Sequence, residues 1–413
     1  MNRLEIASAR VSDGEFEAVK RVASWAERTG NIQKLEVLGF VDGDVSLNWI
    51  EAAGCRVVNL LCKGSYKHVT EQLRKTPEQH VDDIRTVVLE AAKRKIDVNI
   101  YLEDWSNGIK HSPDYVFLVI DALKGLPICR FMLPDTLGVL NPGNTYEYCK
   151  MMVDRYPDLR FDFHAHNDYD LAVANVYSAI RAGIKGIHTT VNGLGERAGN
   201  APLSSVLAVI KDQLGEETSL REEKINKASR LVETYSGVHI PPNKPIIGEH
   251  VFTQCAGVHA DGDSKNNLYC NDLLPERFGR VREYALGKTS GKANIRKNLE
   301  ALGIDMDEGS MRKVTERIIE LGDKKEMVTP EDLPYIISDV LHHDAMADQR
   351  IRILNYSLSL AQGLRPVATL KIEIDGEAYE ESASGDGQYD AFVRALRKIY
   401  SDLGRPFPML TNY

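Results

Sequence analysis

Short apolar segments alternate with longer amphipathic segments along the first half of the chain. Seven short segments, rich in β-branched and other apolar residues, predict β-strands at 4–9, 35–41, 57–62, 98–104, 129–135, 159–167 and 184–193. The segments between them repeat apolar residues every three or four positions, as in 14–30 and in 170–183, which closes on Gly183. Strands that alternate with helices at this spacing predict right-handed βαβ units and a parallel sheet.

The number of repeats narrows the fold. Seven strand–helix units are visible, and a (β/α)8 TIM barrel has eight. The first predicted strand starts at residue 4, and the helix predicted over 201–215 ends the repeat. The pattern therefore fits two folds, an open seven-unit sheet and a barrel that lacks its first unit, and does not decide between them.

A different pattern follows the repeat. Helical periodicity continues around a loop-rich stretch, and the final part alternates like antiparallel strands, with Asp375-Gly376 at a hairpin turn and a helix after it. We therefore expect three parts: an α/β domain over 1–215, a mainly helical region over 216–345, and an α+β (βββα) module over 346–413.

Composition and charge restrict the partners. The chain has 413 residues, a net charge of −9 and no basic tract, which disfavours nucleic acid and anionic membranes. Its apolar runs are too short to cross a bilayer. The six cysteines form no C-x-x-C pair, which is typical of reduced thiols, and the opening residues do not read as a secretory signal. We expect a cytoplasmic protein.

The stretch FDFHAHND places two histidines one residue apart on a predicted strand. Because alternate residues of a strand share a face, His164 and His166 face the same way as Asp162, while Phe161 and Phe163 face the other. The phenylalanines suit the helix side of a βα barrel, which leaves the histidines in the lumen near the strand's carboxyl end, where such barrels place active sites. Two imidazoles there indicate a divalent-metal site, with satisfied core histidines as the structural alternative.

Polar residues also follow other predicted strands. Glu103 lies two residues past Tyr101 and is placed to point into the lumen, whereas Asp104 and Asp135 suit helix caps. Acidic side chains at the carboxyl ends of parallel strands lie at the catalytic rim of a barrel.

The glycine-rich stretch TTVNGLGERAGNAP follows the last predicted strand. Its structural interpretation is a turn with Asn200 as a helix N-cap and Pro202 in the first helical turn. This interpretation leaves Glu196 and Arg197 on a rim loop without a structural reason.

The motifs HAHND, NGLGERAGNAPL, LPDTLG, AGVHADG and GKTSGK together resemble the α-isopropylmalate synthase family of metal-dependent Claisen-condensing TIM barrels. The resemblance covers nearly the whole chain, including the last module.

The stretch LGKTSGKAN is not a P-loop, because three residues separate Gly287 from Gly291 and Ala293 replaces Ser or Thr.

The resemblance implies a set of site residues, each at a position that matches a family motif. The implied metal ligands are His164, His166 and Asn200. The implied acid, base and substrate-binding residues are Glu103, Thr136, Glu196, His259 and Tyr284. Thr136 matches a threonine that binds the carboxylate of the 2-oxo acid. His259 and Tyr284 match residues of a linker that, in the family, reaches the active site of the partner subunit.

The resemblance also implies the reaction. A divalent cation (Mg²⁺, Mn²⁺ or Zn²⁺) polarises the carbonyl of a 2-oxo acid, and the methyl carbon of acetyl-CoA attacks it. The expected substrate is 2-oxoisovalerate, which gives 2-isopropylmalate for leucine biosynthesis; pyruvate, which gives citramalate, is the alternative. A homodimer with leucine feedback is implied as well. His259, assisted by Glu196, is a candidate for acid–base work.

One family signature is absent from the sequence. The family's first strand ends in a motif resembling LRDGEQ, whose aspartate binds the metal, and nothing here matches it. The βββα module over 346–413 likewise matches only the first half of the family's leucine-sensing module. We therefore expect a fragment of a longer synthase that is inactive alone. A non-catalytic protein on the same fold is the competing hypothesis. An amidohydrolase is disfavoured, because amidohydrolases carry their H-x-H pair on the first strand of the barrel, whereas His164 and His166 lie on a late strand.

Overall fold

The computed structural model describes residues 3–263, 265, 268–326, 328–341 and 351–407. The chain forms two compact units, Met1–Thr253 with Tyr269–Glu283, and Gln254–Leu268 with Tyr284–Tyr413. The three-part division expected from the sequence stays a prediction. No helix in the described ranges is long and apolar enough to cross a membrane.

The first unit is built on a seven-stranded parallel sheet whose spatial order equals the chain order. The strands are β1 Leu4–Ser8, β2 Leu35–Phe40, β3 Val57–Lys63, β4 Asp97–Glu103, β5 Ile128–Asp135, β6 Phe161–Ala165 and β7 Gly186–His188. All seven predicted strands are present, so the α/β fold prediction is confirmed, and in the described part of the chain β1 and β7 end the sheet.

Helices follow the strands and cover one face of the sheet. They are α1 Asp13–Arg28, α2 Val45–Ala52, α3 Pro77–Lys93, α4 Trp105–His111, α5 Pro113–Leu123, α6 Pro142–Arg155, α7 Ala172–Arg181, α8 Leu203–Asp212 and α9 Ile225–Ser236. Side-chain caps fix their starts: Ser12 accepts from the Glu15 amide, and Thr76 forms a capping box with Gln79. These caps satisfy amides that have no partner within the helix.

The sheet is strongly curled. Neighbouring strands lie about 4.8 Å apart, so β4 and β7 would be roughly 14 Å apart in a flat sheet. The rings of Tyr101 on β4 and His188 on β7 have centroids only 6.4 Å apart. Phe161 and Phe163 are buried in the core on the helix side, as predicted, and the other face of the curled sheet is its inner face.

The second unit contains a helical part and a βββα module. The helices are α10 Gly257–Asp263, α11 Lys292–Leu302, α12 Glu308–Asp323 and α13 Leu333–Leu341, and two short strands, β8 Thr253–Gln254 and β9 Glu283–Tyr284, pair near the division of the chain. The module consists of antiparallel β10 Ile351–Ser359, β11 Val367–Ile374 and β12 Glu377–Ser384, followed by α14 Gln388–Asp402.

The hairpin predicted at Asp375-Gly376 is confirmed. Both residues have positive φ, 51° and 87°, which is the backbone of a type I′ turn. The βββα module is therefore present as the alternation of its sequence predicts.

The end of β3 packs against α4 with no space for a side chain. A Cβ at Gly108 would lie 1.9 Å from the carbonyl oxygen of Gly64, and this oxygen belongs to the backbone. This close approach sets the position of the loop after β3 relative to the end of β4.

We predict that Gly108→Ala destabilises the chain by roughly 1–3 kcal/mol, because relieving the overlap requires the backbone to move. Urea unfolding followed by tryptophan fluorescence measures the effect, since Trp105 is fully buried in the same helix. Gly125→Ala is the matched control, because a Cβ at this glycine would have no heavy atom within 4 Å. An unchanged urea midpoint for Gly108→Ala would show that the backbones do not approach this closely.

Candidate active site

The inner face carries an aromatic cluster near the carboxyl ends of its strands. The centroid of the His164 ring lies 5.1 Å from that of His166, 5.6 Å from that of His188 and 5.7 Å from that of Tyr101. The alternation predicted from FDFHAHND is thus observed, since both histidines share one face with Asp162. Sequence reasoning misses His188 as a site residue, although it lies within the strand predicted over 184–193; in the structure it ends β7.

The environment keeps both imidazoles neutral. Burial lowers the pKa of His164 well below its usual range; the nearby His188 and His166 act in the same direction, and the nearby Asn200 side chain partly offsets them. Burial, followed by the positive charge of Arg197, lowers the pKa of His166. Neutral imidazoles are the form that binds a metal ion.

The loop after β7 folds back along the histidine strand. The Asn167 amide donates to the Gly199 carbonyl (2.9 Å), the Ala201 amide donates to the Ala165 carbonyl (3.1 Å), and His166 and Asn200 form an antiparallel bridge. The chain thereby places Asn200 beside the two histidines.

Glycines make this fold of the loop feasible. A Cβ at Gly195 would lie 2.1 Å from the Asn200 side-chain nitrogen, and Gly199 has φ +82°. The proposed N-cap role of Asn200 is wrong, because α8 begins at Leu203 with Pro202 as its N-cap residue and no side-chain cap. Its side-chain nitrogen instead donates to the Leu194 carbonyl (3.0 Å) within the loop.

Two buried side-chain atoms near this bridge have no hydrogen-bond partner in the described part of the chain. The Nδ1 atom of His166 and the Oδ1 atom of Asn200 are buried without a hydrogen-bond partner among the described residues. In that same part of the chain, no group of three or more His, Cys, Asp or Glu side chains is placed to hold a metal ion. Two neutral imidazoles and one free amide oxygen nevertheless fit a divalent cation, which accepts lone pairs from such atoms.

Glu103 lies at the inner end of β4 and pairs with Lys63 at the end of β3. The next residue, Asp104, adopts φ +65° and donates its amide hydrogen to the Thr136 hydroxyl oxygen (2.8 Å). The Asp135 carboxylate accepts from the amides of Val139 and Leu140, both at 3.0 Å, so it orders the loop after β5. Glu103 and Thr136 thus lie at neighbouring strand ends, as predicted.

Arg197 has a structural role that its sequence context does not reveal. Its guanidinium makes a bidentate pair with Asp168 (2.7 and 2.9 Å) and donates to the Thr136 carbonyl (2.8 Å). Arg197 joins the loops that follow β5, β6 and β7, at the cost of a left-handed backbone with φ +56°. Glu196, by contrast, has a side chain that is 84% exposed, and it lies 3.5 Å from the Arg197 guanidinium.

His259 and Tyr284 lie in the second unit. The Tyr284 hydroxyl donates to Asp263 Oδ2 at 3.4 Å. Their predicted place in the active site stays a prediction.

Three family models match the chain in succession. The model described as HMGL-like matches residues 1–232, the homocitrate synthase post-HMGL domain-like model matches 246–326, and the LeuA allosteric (dimerisation) domain matches 327–413. Among solved structures, a Bacillus subtilis HMG-CoA lyase aligns with a TM-score of 0.48 and 19% identity, over 60% of this chain and 85% of the lyase.

Curated relatives match almost the entire chain. A putative (R)-citramalate synthase CimA and a probable 2-isopropylmalate synthase, both from Methanopyrus kandleri, are each 33% identical over 99% and 98% of this chain and 79% of their own length. The (R)-citramalate synthase CimA of Methanocaldococcus jannaschii is 31% identical over 96% of this chain and 79% of its own. The chain therefore belongs to the HMGL-like family and, within it, to the group formed by the 2-isopropylmalate and (R)-citramalate synthases.

Proposed function

We propose that this chain catalyses the condensation of acetyl-CoA with a 2-oxo acid on a divalent metal ion. This replaces the inactive fragment expected from the absent LRDGEQ-like motif, because the described residues still bring two imidazoles and one amide oxygen together. The observation that carries the proposal is the pair of neutral histidines beside the unpaired Asn200 oxygen, at the strand ends that also present Glu103 and Thr136. A bound divalent cation would supply Lewis-acid polarisation of the 2-oxo acid carbonyl. His164, His166 and Asn200 would hold that cation.

Thr136 is suited to bind the carboxylate of the 2-oxo acid. Its hydroxyl oxygen accepts a hydrogen from the Asp104 amide, so its own hydrogen is available for donation to an anionic oxygen. The hydrogen bond from the Arg197 guanidinium to the Thr136 carbonyl fixes the backbone that carries this hydroxyl.

The remaining predicted residues would move protons. A base removes a proton from the acetyl methyl group, the resulting carbanion attacks the carbonyl carbon, and the new alkoxide oxygen gains a proton. Water then cleaves the thioester and releases the CoA thiol. Glu103 and Glu196 in the first unit, and His259 and Tyr284 in the second, are the candidates for these proton transfers.

We favour pyruvate, which gives citramalate, over the 2-oxoisovalerate expected from the sequence resemblance. The rings of Tyr101 and His188 both lie against His164. We infer that they leave room for a methyl group rather than for a branched side chain. Relatives of both substrate classes are equally identical to the chain, so sequence identity does not choose between the two substrates. The choice of pyruvate therefore rests on the rings beside His164. A few apolar contacts are worth about 1–3 kcal/mol in such discrimination.

A cavity of about 400 Å³ beside the glycine-rich loop suits part of the CoA molecule. Arg197, His239 and Lys244 line it together with the loop backbone. Cationic side chains and backbone amides are the groups that bind phosphates.

We also propose a homodimer. The last part of the chain matches the LeuA allosteric (dimerisation) domain, and β10 presents apolar side chains such as Ile353 and Tyr356 to solvent. Feedback by leucine or a similar amino acid is proposed for the same module.

We predict acetyl-CoA-dependent thiol release with pyruvate in the presence of Mg²⁺ or Mn²⁺. Turnover with pyruvate should exceed turnover with 2-oxoisovalerate by roughly 10–200-fold in kcat/KM, because one pocket must reject two extra methyl groups. Product analysis should identify citramalate. Preference for 2-oxoisovalerate would reverse the substrate assignment, and no release with any 2-oxo acid would contradict the proposed activity.

We predict that His166→Ala and Asn200→Ala each weaken Mn²⁺ binding by at least about tenfold, since each removes one ligand atom. Isothermal titration calorimetry on the purified full chain measures the affinity without any turnover. His239→Ala, which truncates a histidine side chain that is 94% exposed, is the control and should leave the affinity unchanged. Equal Mn²⁺ affinity in the wild-type chain and all three variants would place the metal elsewhere.

We predict that Arg197→Met lowers kcat/KM by about 10²-fold, because Thr136 and the His166 loop lose their common anchor. Arg197→Lys should not restore activity, since an ammonium group cannot make the bidentate pair with Asp168. Arg181→Met, on the exposed side of α7, is the matched control. Full activity in Arg197→Met would mean that Arg197 does not position the site.

A further inference from the structure

Lys63 ends β3 as a buried lysine whose ammonium group pairs with the Glu103 carboxylate. It is only 9% exposed, and Lys63 and Glu103 are direct partners in the parallel ladder of β3 and β4. Asn59, four residues earlier on β3, lies on the inner face. It donates to Glu36 of β2 (3.1 Å) and accepts from Asn99 of β4 (2.8 Å). Since residues two and four apart share a face, the Lys63 side chain lies on the inner face.

The backbone around Lys63 is fixed from every side. Its amide donates to His80 Nε2 (3.0 Å), its carbonyl accepts from the Tyr115 hydroxyl (2.9 Å), and the Gly64 amide donates to the Glu103 carbonyl (2.6 Å). Burial lowers the pKa of His80 to about 4, so this imidazole is neutral and accepts the hydrogen bond. The ammonium group is therefore delivered to Glu103 by a rigid support.

The ladder places this ion pair level with the histidines. Tyr101 pairs with Met132, and Met132 pairs with Asp162. Tyr101 and Asp162 are therefore in register across β5. Glu103 and His164, each two residues later on its strand, are in register as well. Lys63, the ladder partner of Glu103, shares that register.

An ion pair that is largely withdrawn from water, here with side chains 11% and 25% exposed, contributes little net stability to a fold. Removing two charges from water costs about as much as their attraction returns, and apolar residues of similar volume often serve as well. A lysine in this place therefore points to a use for its charge. The condensation supplies that use, because the carboxylate and the developing alkoxide of the 2-oxo acid bring negative charge next to Glu103.

We propose that Lys63 is a positioning residue of the condensation, which fixes the Glu103 carboxylate beside the 2-oxo acid and balances its charge. The inference rests on the proposed function. Lysine suits this task as a compact point charge on a long stem, and its ammonium group donates a hydrogen bond to Glu103 Oε2. Without that cation, Glu103 and the substrate carboxylate would repel each other.

The test is a double-mutant cycle on the full chain, followed by thiol release with saturating acetyl-CoA and pyruvate. Lys63→Met should lower kcat by about 10²-fold with little change in the KM for acetyl-CoA, since only the reacting centre is disturbed. Glu103→Gln should also lower kcat. Adding Lys63→Met to Glu103→Gln should cause no further loss, because Lys63 acts through Glu103.

Lys75→Met is the matched control, because it removes a lysine whose pair with Asp83 is exposed. It should leave kcat unchanged. Circular dichroism and the urea midpoint establish that each variant is folded, and Lys63→Gln takes the place of Lys63→Met if the methionine variant does not fold.

Two results overturn the inference while the proposed function stands. One is a folded Lys63→Met with the wild-type kcat; the other is a pair of losses that multiply in the double variant. Absence of turnover in the wild-type chain with every 2-oxo acid overturns the proposed function, and the inference with it.

Discussion

The inner face of the sheet depends on the buried guanidinium of Arg130. It contacts Glu36 of β2 and Asp162 of β6 (Nε to Oδ2, 2.7 Å), so one side chain on β5 joins both sides of the curled sheet. Burial raises the pKa of Asp162, but His188 and Arg130 outweigh it and leave this pKa below its usual value. Loss of Arg130 would remove the buried cation that these two carboxylates share, at a cost of roughly 3–5 kcal/mol.

The candidate site is built on top of this layer. Asp162 precedes His164 and His166 on the same face, and His188 contacts Asp162 Oδ2 at 3.6 Å. The polar layer therefore orients the strand that presents the histidines, while the glycine-rich loop brings Asn200 to them from the other side. Rigid strands supply the imidazoles and loops supply the remaining groups, which is how βα folds separate stability from chemistry.

The sequence predicts the parts of this arrangement that are local. Alternation in FDFHAHND places His164 and His166 correctly, because a strand has a period of two residues. The pairs of Lys63 with Glu103 and of Arg130 with Glu36 join residues 40 and 94 positions apart, and no periodicity encodes them. Residue type and position suggest a helix cap for Asn200, whereas the loop's backbone pairing with β6 is a tertiary feature. Asp168 follows directly after HAHN and is recognisable as a polar residue at a strand end, but its pairing with the distant Arg197 is not.

The central claim is that the two inner-face histidines and Asn200 bind a catalytic divalent cation. X-ray absorption spectroscopy on the full chain loaded with one equivalent of Zn²⁺, with pyruvate present, tests it most directly. The account predicts scattering from two imidazole rings, with nitrogen at about 2.0–2.1 Å and the remaining ligands oxygen. A bound metal without imidazole scattering, or with the sulfur ligands that the cysteines would give, would contradict it.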